Sequence, residues 1–343
     1  MEARAIDGPV RSGKKIIIGL CGIGAVLAAA ALLPVGGGVV SSSGEPNQAP
    51  SMDLSAFSDA KPDTPLRLVF LHHSVGGQLL ADEGPDVGEN SIHPSHPSGG
   101  GLRRMLEAQG YEVHEASYGS RLGEHTDMFD WLPKFRGQMD AILANSGGDS
   151  VHAEGQVNEI VVFKSCFTQS WFVGEGTSPG DPDGPALTVG NAKATLRELL
   201  PEFAKHPETL FVYVTAPPLA PKLAPIPAWT WLAKLVLGKP VGLAGLRRAG
   251  DLDREFNNWV KSPSGWLDGY AKKNVVVFDY YDVLTGKSGS NFSAYPTGDG
   301  SDSHPSAAGN QQAAREFVPF LNRAVRRAGL GQPLDQGNPL ADQ

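Results

Sequence analysis

The sequence contains little cysteine and no internal repeat. Among its 343 residues only two are cysteines, and one of them, Cys21, lies in an apolar run near the N-terminus. The remainder of the chain keeps Cys166 alone and can form no internal disulfide, which excludes a small scaffold held together by disulfide bonds. A chain of this length needs no such bonds, because it is long enough to bury a large hydrophobic core.

A concentration of positive charge is also missing. The formal net charge is −8 at pH 7, and beyond the first fifteen residues basic side chains cluster only in short doublets such as Arg247–Arg248. Proteins that bind nucleic acids usually present a basic stripe, so we expect no nucleic-acid partner. The hydrophobic and charged fractions, 41% and 19%, are ordinary for a globular protein.

One long apolar run is present near the N-terminus. Residues 16–33 carry no charge and directly follow Lys14 and Lys15. Their number lies at the border between a signal-peptide core and a membrane-spanning helix, and the basic flank directs the rest of the chain outward. We expect residues 1–35 to be an uncleaved membrane anchor, with a cleaved signal peptide as the alternative. In both cases the protein is exported and its folded part is extracytoplasmic.

Composition divides the rest of the chain. Residues 36–64 are rich in Gly, Ser, Pro, Ala and Asp without periodicity, which is typical of a flexible linker. Residues 65–328 alternate between strand and helix patterns and form the predicted catalytic domain, in which residues 81–101 are expected to be a polar loop. Residues 219–250 form an inserted apolar segment that lines a substrate groove, contacts the membrane or packs on the domain. The polar residues 329–343 are predicted to be a disordered tail.

Short, continuous apolar runs predict the strands of this domain. Such runs are typical of parallel sheets covered by helices on both faces, where every strand is buried. The sequence therefore predicts an α/β fold with a parallel five-stranded sheet, and ligands of such sheets bind at the carboxyl ends of the strands. The five predicted strands begin at Leu66, Tyr111, Ile160, Leu210 and Val275.

The stretch Leu66–Leu80 organises the rest of the chain. Its strand ends at His72 and His73, which are followed by Ser74 and then by Val-Gly-Gly. A small nucleophile followed by glycines at the start of a helix is typical of an α/β active site, because the glycines permit a tight turn and leave backbone N–H groups available to a ligand. Ser74 is therefore the candidate nucleophile. The alternative is that Ser74 only caps the helix.

A second polar group lies at Asp299–Pro305, just before the last predicted helix. His304 can take the proton from Ser74, and the carboxylate of Asp302 can orient the imidazole and stabilise its cation. The alternative is that Asp302 and Ser303 cap the helix while His304 lies on the surface.

With these residues in place, the sequence resembles the SGNH (GDSL-like) hydrolases. It resembles most a divergent exported subset with a His-His-Ser-Val-Gly first block and a Lys-Ser-Cys-Phe third block. In the family the serine follows the first strand, a glycine follows the second, and an aspartate and a histidine precede the last helix; Ser74, Gly119, Asp302 and His304 match. The resemblance implies a flavodoxin-like three-layer sandwich over residues 65–328. It also implies a serine esterase that acts on O-acyl esters of a glycan or another small molecule and needs no cofactor or metal.

Two features depart from the family pattern. The third block, Phe163–Phe167, lacks the asparagine that contributes to the oxyanion hole of the family, and the spacing between aspartate and histidine is one residue shorter. The resemblance then implies that the backbone N–H groups of Ser74 and Gly119 act as oxyanion donors, together with Ser165 or Gln169.

Three other functions are compatible with these residues. The first block also looks like the nucleophile elbow of an α/β-hydrolase, but here the serine follows the first strand and Asp302 adjoins His304. A metal site is the second, because His72, His73, Asp302 and His304 are possible ligands; adjacent strand residues face opposite sides, however, which separates the first two. The third is a non-catalytic extracellular binding protein on a decayed hydrolase fold, which the missing asparagine favours.

Cys166 follows the third strand and is therefore expected in the same crevice as Ser74. A free cysteine is most often a small buried apolar residue. Nucleophilic duty would require a lowered thiol pKa and a base within reach. We predict that Cys166 shapes the pocket and does no covalent chemistry.

Overall fold

The computed structural model of the protein describes residues 53–223 and 242–332. Within these two ranges, no helix combines the length and the apolar character that a membrane crossing requires. Several predicted segments lie outside the described residues: the anchor 1–35, the linker 36–64 as far as residue 52, the centre of the insertion 219–250, and the tail 329–343 beyond residue 332.

A parallel sheet of five strands forms the centre of the fold. Its strands are β1 (Leu66–Leu71), β2 (Tyr111–Ala116), β3 (Ile160–Lys164), β4 (Leu210–Val214) and β5 (Val275–Phe278). They lie in the order β2-β1-β3-β4-β5, and every neighbouring pair is parallel. This is the flavodoxin-like order, whose topological switch point lies between β1 and β3. The predicted fold class is therefore confirmed.

Helices cover both faces of the sheet. They are α1 (Ser74–Leu80), α2 (Leu102–Glu107), α3 (Trp131–Leu143), α4 (Val189–Ala204), α5 (Gly242–Lys261), α6 (Tyr280–Leu284) and α7 (Ala307–Ala328). Val161 and Phe163 of β3 point into the core beneath α3, α4 and α5, whereas Ile160 and Val162 point into the core beneath α1, α2, α6 and α7. This alternation along a strand that is buried on both sides produces three layers.

The segment 81–101, predicted to be a polar loop, instead contains a small three-stranded sheet. Its strands are Asp82–Glu83, Val87–Glu89 and Ile92–His96, and we call it the 82–96 sheet. The last two strands are antiparallel and turn at Asn90 and Ser91, whose φ angles are +56° and +63°. Two consecutive positive φ angles are the requirement of a tight type I′ hairpin turn. The prediction was wrong because these strands are short and polar and show no apolar alternation.

Two further pairs of short strands lie outside these sheets. Asn145–Gly147 pairs with Ser150–Val151, and Pro296–Thr297 pairs with Asp302–Pro305. The second pair leads directly into α7, whose N-cap residue is Ser306. Asp302 and Ser303 therefore lie in a strand and do not cap the helix.

Two segments at the borders of the described ranges pack onto this body. The predicted linker contacts α7 in its last part, where the Asp63 N–H donates to the Gly331 carbonyl and Asn322 Nδ2 donates to the Asp59 carbonyl. The end of the predicted insertion 219–250 forms the first turns of α5, and Leu246 packs there against Leu219.

Candidate active site

Ser74 lies where β1 turns into α1. The chain leaves the strand after Leu71, and His73 occupies the N-cap position of the helix, so Ser74 is its first residue and not its cap. A glycine is needed within this turn, because a Cβ at Gly76 would lie 2.3 Å from the Cβ of His72. The tight turn sets Ser74 at the carboxyl edge of the sheet, beside the switch point.

A chain of hydrogen bonds joins Ser74 to His304 and Asp302. Ser74 Oγ lies 2.9 Å from His304 Nε2, and His304 Nδ1 lies 2.7 Å from Asp302 Oδ1. The same carboxylate oxygen accepts the backbone N–H of His304 at 2.9 Å. With the proton on Nδ1, the imidazole donates to Asp302 and leaves Nε2 free to accept the serine proton, which is the tautomer that a general base requires.

The surroundings of Asp302 and His304 favour this arrangement. Partial burial would raise the pKa of Asp302, but the hydrogen bonds from the backbone and ring of His304 outweigh that effect and lower the pKa. The carboxyl therefore stays ionised in weak acid. The ring of Phe167 meets the imidazole edge to face, with their centroids 4.9 Å apart, and limits its rotation.

The crevice beside Ser74 also contains Cys166. Its Sγ lies 3.7 Å from Ser74 Oγ, and the residue is 6% exposed. Beneath it, Lys164 is fully buried and donates one hydrogen bond, from Nζ to the Ser165 carbonyl, at 2.8 Å. Burial lowers the pKa of Lys164 to about 8, against the opposing effects of Cys166 and Asp127.

His72 lies below the site and is held by protein groups. Its Nδ1 donates to the His73 carbonyl and its Nε2 faces Glu115 Oε2, each at 2.9 Å. Arg103 binds the other oxygen of Glu115. Burial alone would raise the pKa of Glu115, but the hydrogen bond and charge of His72, with the charge of Arg103, lower it.

The side chain of His73 contacts different groups from those that hold His72. Its Nε2–H donates to the Gly123 carbonyl at 2.8 Å, and its ring stacks on Tyr118 with centroids 3.8 Å apart. Burial lowers the pKa of His73 to about 4, so the ring is neutral at physiological pH. The two histidines thus have separate protein partners. Across the residues that the structure describes, no group of three or more His, Cys, Asp or Glu side chains is suited to a metal ion.

One of the predicted backbone oxyanion donors is already engaged. The N–H of Gly119 donates to Glu124 Oε1 at 2.8 Å. The N–H of Ser74 belongs to the first turn of α1, where backbone donors have no acceptor within the helix. Of these two backbone N–H groups, that of Ser74 therefore remains available to a ligand.

The two predicted side-chain donors are hydrogen-bonded to residues of the core. Ser165 is fully buried, and its Oγ accepts the indole N–H of Trp131 at 2.8 Å. Gln169 is 2% exposed and donates from Nε2 to the Tyr213 hydroxyl at 3.1 Å. Since Trp131 and Tyr213 both belong to the core beneath α3, α4 and α5, these two side chains support that core.

The 82–96 sheet forms a wall that sequence reasoning missed. A Cβ at Gly77 would lie 1.9 Å from the Ser91 carbonyl oxygen, and a Cβ at Gly119 would lie 2.7 Å from Asn90 Nδ2. The turn of the 82–96 sheet therefore lies against α1 and against Gly119, which follows β2. The available signal in the sequence was Asn90 followed by Ser91, because asparagine tolerates the positive φ of a tight hairpin turn.

Comparison with known proteins gives distant likenesses. No protein-family model matches the chain, and no curated protein matches it. Among solved structures, the acetylxylan esterase Axe2 of Geobacillus stearothermophilus is 14% identical, with 80% of this chain and 99% of that chain covered and a TM-score of 0.35. A carbohydrate esterase family 2 enzyme with a carbohydrate-binding domain, from Corynascus thermopiles (Myceliophthora fergusii), is 12% identical, with 77% and 68% covered and a TM-score of 0.36. At such TM-scores the likenesses carry no argument about activity.

Proposed function

We propose that the protein is an exported serine esterase of the SGNH type, which cleaves O-acyl esters of a glycan or another small molecule. The observation that supports this best is the hydrogen-bonded chain from Ser74 through His304 to Asp302. It lies at the carboxyl edge of the sheet, beside the topological switch point, where ligands of such folds bind. Export rests on the apolar run 16–33 with its basic flank.

In the proposed reaction, Ser74 Oγ attacks the carbonyl carbon of the ester while His304 Nε2 takes the hydroxyl proton. Asp302 keeps the imidazole oriented and stabilises its positive charge. The resulting tetrahedral intermediate collapses when the bond to the alcohol oxygen breaks, and His304 gives its proton to that oxygen. Water, activated by the same histidine, then attacks the acyl-Ser74 ester and releases the acid.

The non-catalytic alternative is favoured by one observation. The Gly119 N–H, which the resemblance assigns to the oxyanion hole, is engaged by Glu124. A binding protein on this fold would have no need of that donor, whereas an esterase needs a substitute for it. The two functions differ in whether Ser74 turns over an ester.

The test is hydrolysis of p-nitrophenyl acetate by the full-length protein in detergent, together with labelling of Ser74 by a fluorophosphonate. Ser74→Ala should reduce turnover by about 10³-fold or more and abolish labelling. Ser58→Ala, at an exposed serine in the segment 53–64, is the matched control and should keep both. Equal turnover in Ser74→Ala and the wild type would refute the serine mechanism. Turnover that survives Ser74→Ala but is lost on chelation would favour the metal-dependent alternative.

A further inference from the structure

An ester hydrolase has to stabilise the negative charge that develops on the carbonyl oxygen. Hydrogen-bond donors aimed at that oxygen are usually the largest contribution to catalysis, and the loss of one typically costs about 10²–10³ in turnover. Here Gly119 N–H is engaged by Glu124, and the side chains of Ser165 and Gln169 are held by core residues. Of the four predicted oxyanion donors, only the backbone N–H of Ser74 is therefore left to bind the carbonyl oxygen.

Asn90 lies beside Gly119, the residue to which the resemblance assigns the second oxyanion donor. It forms the turn of the 82–96 sheet, and its Nδ2 fills the space that a side chain at Gly119 would take. The next residue, Ser91, is in close contact with Gly77 of α1. Because Gly77 and Ser74 are three residues apart, they lie on the same face of that helix. The turn thus sits between the helix face that presents Ser74 and the backbone of Gly119.

The side-chain amide of Asn90 is free to act. Among the hydrogen bonds of the described residues, none involves Asn90 Nδ2 or Oδ1, and the residue is exposed. A primary amide offers two N–H donors. The positive φ of +56° suits asparagine, since it is one of the few residues besides glycine that adopts this conformation at little cost. The turn fixes the backbone of Asn90, while its side-chain amide can still donate a hydrogen bond to a ligand.

We propose that Asn90 is a catalytic residue of the esterase, whose Nδ2–H donates to the carbonyl oxygen of the bound ester alongside the N–H of Ser74; this rests on the proposed function. When Ser74 Oγ bonds to the carbonyl carbon, the π electron pair of the carbonyl moves onto its oxygen, and that oxygen accepts both hydrogen bonds. The pair returns to re-form the C=O bond as the alcohol leaves with the proton from His304. The 82–96 sheet thereby supplies a donor that the third block lacks.

The experiment compares Asn90→Asp and Asn90→Gly with the wild-type full-length protein. Asn90→Asp keeps the size of the side chain and its tolerance of positive φ but replaces the donor by an anionic acceptor. Asn90→Gly keeps the turn and removes the amide. Both should lower kcat for p-nitrophenyl acetate by about 10²–10³-fold while KM changes by only a few-fold. Glu89→Gln, at an exposed residue next to the turn, should leave both constants unchanged.

A second readout separates a catalytic role from a structural one. An alkyl boronic acid forms a tetrahedral adduct with the serine and places a negative oxygen in the same hole, so its inhibition constant should rise in parallel with the loss of kcat/KM. A rise in KM alone, or a kcat within threefold of the wild type while Ser74→Ala is inactive, would overturn the assignment of Asn90 and leave the esterase intact. Full activity in Ser74→Ala would instead overturn the proposed function itself.

Discussion

Ser74 Oγ and His304 Nε2 are 2.9 Å apart although 230 positions separate the two residues in the chain. The contact follows from two elements that share one core. Helix α1 packs on the sheet through Val75 and Leu79, and α7 packs into the same core through Phe317 and Leu321. Because the strand 302–305 leads directly into α7, the packing of that helix brings the histidine to the serine.

The first prediction concerns Asp302. In Asp302→Asn the amide can donate to His304 Nδ1, so the imidazole would carry its proton on Nε2 and could no longer accept the proton of Ser74. We expect kcat for p-nitrophenyl acetate to fall by about 10²–10⁴-fold. Asp299→Asn is the control, because its carboxylate accepts hydrogen bonds from Ser301 and lies outside the chain to Ser74. An unchanged kcat in Asp302→Asn would contradict the orienting role.

The second prediction concerns Cys166, whose Sγ lies 3.7 Å from Ser74 Oγ. His304 is hydrogen-bonded to Ser74, so the base in the site serves the hydroxyl and not the thiol. Cys166→Ser should therefore retain most of the esterase activity, measured as kcat/KM, whereas Ser74→Ala loses it. Iodoacetamide inactivation that substrate prevents, and that is absent in Cys166→Ser, would show that the thiol is the nucleophile.

The central strands could be predicted because four of the five are short, mostly apolar runs, which are typical of strands buried on both faces; β2 is the exception, since Glu112, His114 and Glu115 interrupt its apolar residues. Ser74 could be singled out because glycines follow it at the end of such a run. His304 could be paired with it because parallel strands and the helix after the last of them meet at one edge. These inferences depend on local residue patterns and on the order of strands and helices along the chain, and both can be read from the sequence.

The partners of the oxyanion candidates were not predictable in this way. Ser165 was an oxyanion candidate because the third block lacks the asparagine of the family, yet its hydroxyl accepts the indole N–H of Trp131, a residue of another element. Which face of the chain a side chain takes just after a strand ends depends on packing and not on alternation. The 82–96 sheet was not predicted for a related reason. Its strands are short and polar, and its position depends on a close contact of Ser91 with Gly77.

The third prediction tests that contact with two glycines in helices. A Cβ at Gly77 would overlap the Ser91 carbonyl oxygen, so Gly77→Ala must displace the turn of the 82–96 sheet; we expect a loss of about 1–3 kcal/mol in the free energy of unfolding. At Gly137, in α3, no other atom lies within 4 Å of the added Cβ. Gly137→Ala should therefore stabilise by about 0.5–1 kcal/mol. Urea titration measures both.

The same pair of variants separates stability from activity. If the turn carries Asn90 to the site, Gly77→Ala should also lower kcat at temperatures where the protein stays folded, while Gly137→Ala should leave kcat unchanged. A Gly77→Ala protein with wild-type stability would show that the 82–96 sheet does not contact α1 at Gly77.

The last prediction uses Lys164, which is fully buried beneath the site. Burial lowers its pKa from 10.5 to about 8, which corresponds to about 3 kcal/mol. Below pH 8 the lysine is charged in both the folded and the unfolded chain, so the full cost of burying the charge is present. Between about pH 8 and 10.5 the unfolded chain binds one more proton than the folded chain, and stability rises with pH. Above that window the cost is absent.

Lys164→Met keeps the length of the side chain and removes the charge, so this rise should disappear. Relative to the variant, the wild type should gain up to about 3 kcal/mol in the free energy of unfolding between pH 8 and pH 10.5. Other groups that titrate in the same range cancel in the difference between the two proteins. Lys272→Met, at an exposed lysine, should show no such difference from the wild type. Urea midpoints at pH 7, 8, 9 and 10 provide the measurement, and parallel curves for wild type and Lys164→Met would show that the fold does not lower the pKa of Lys164.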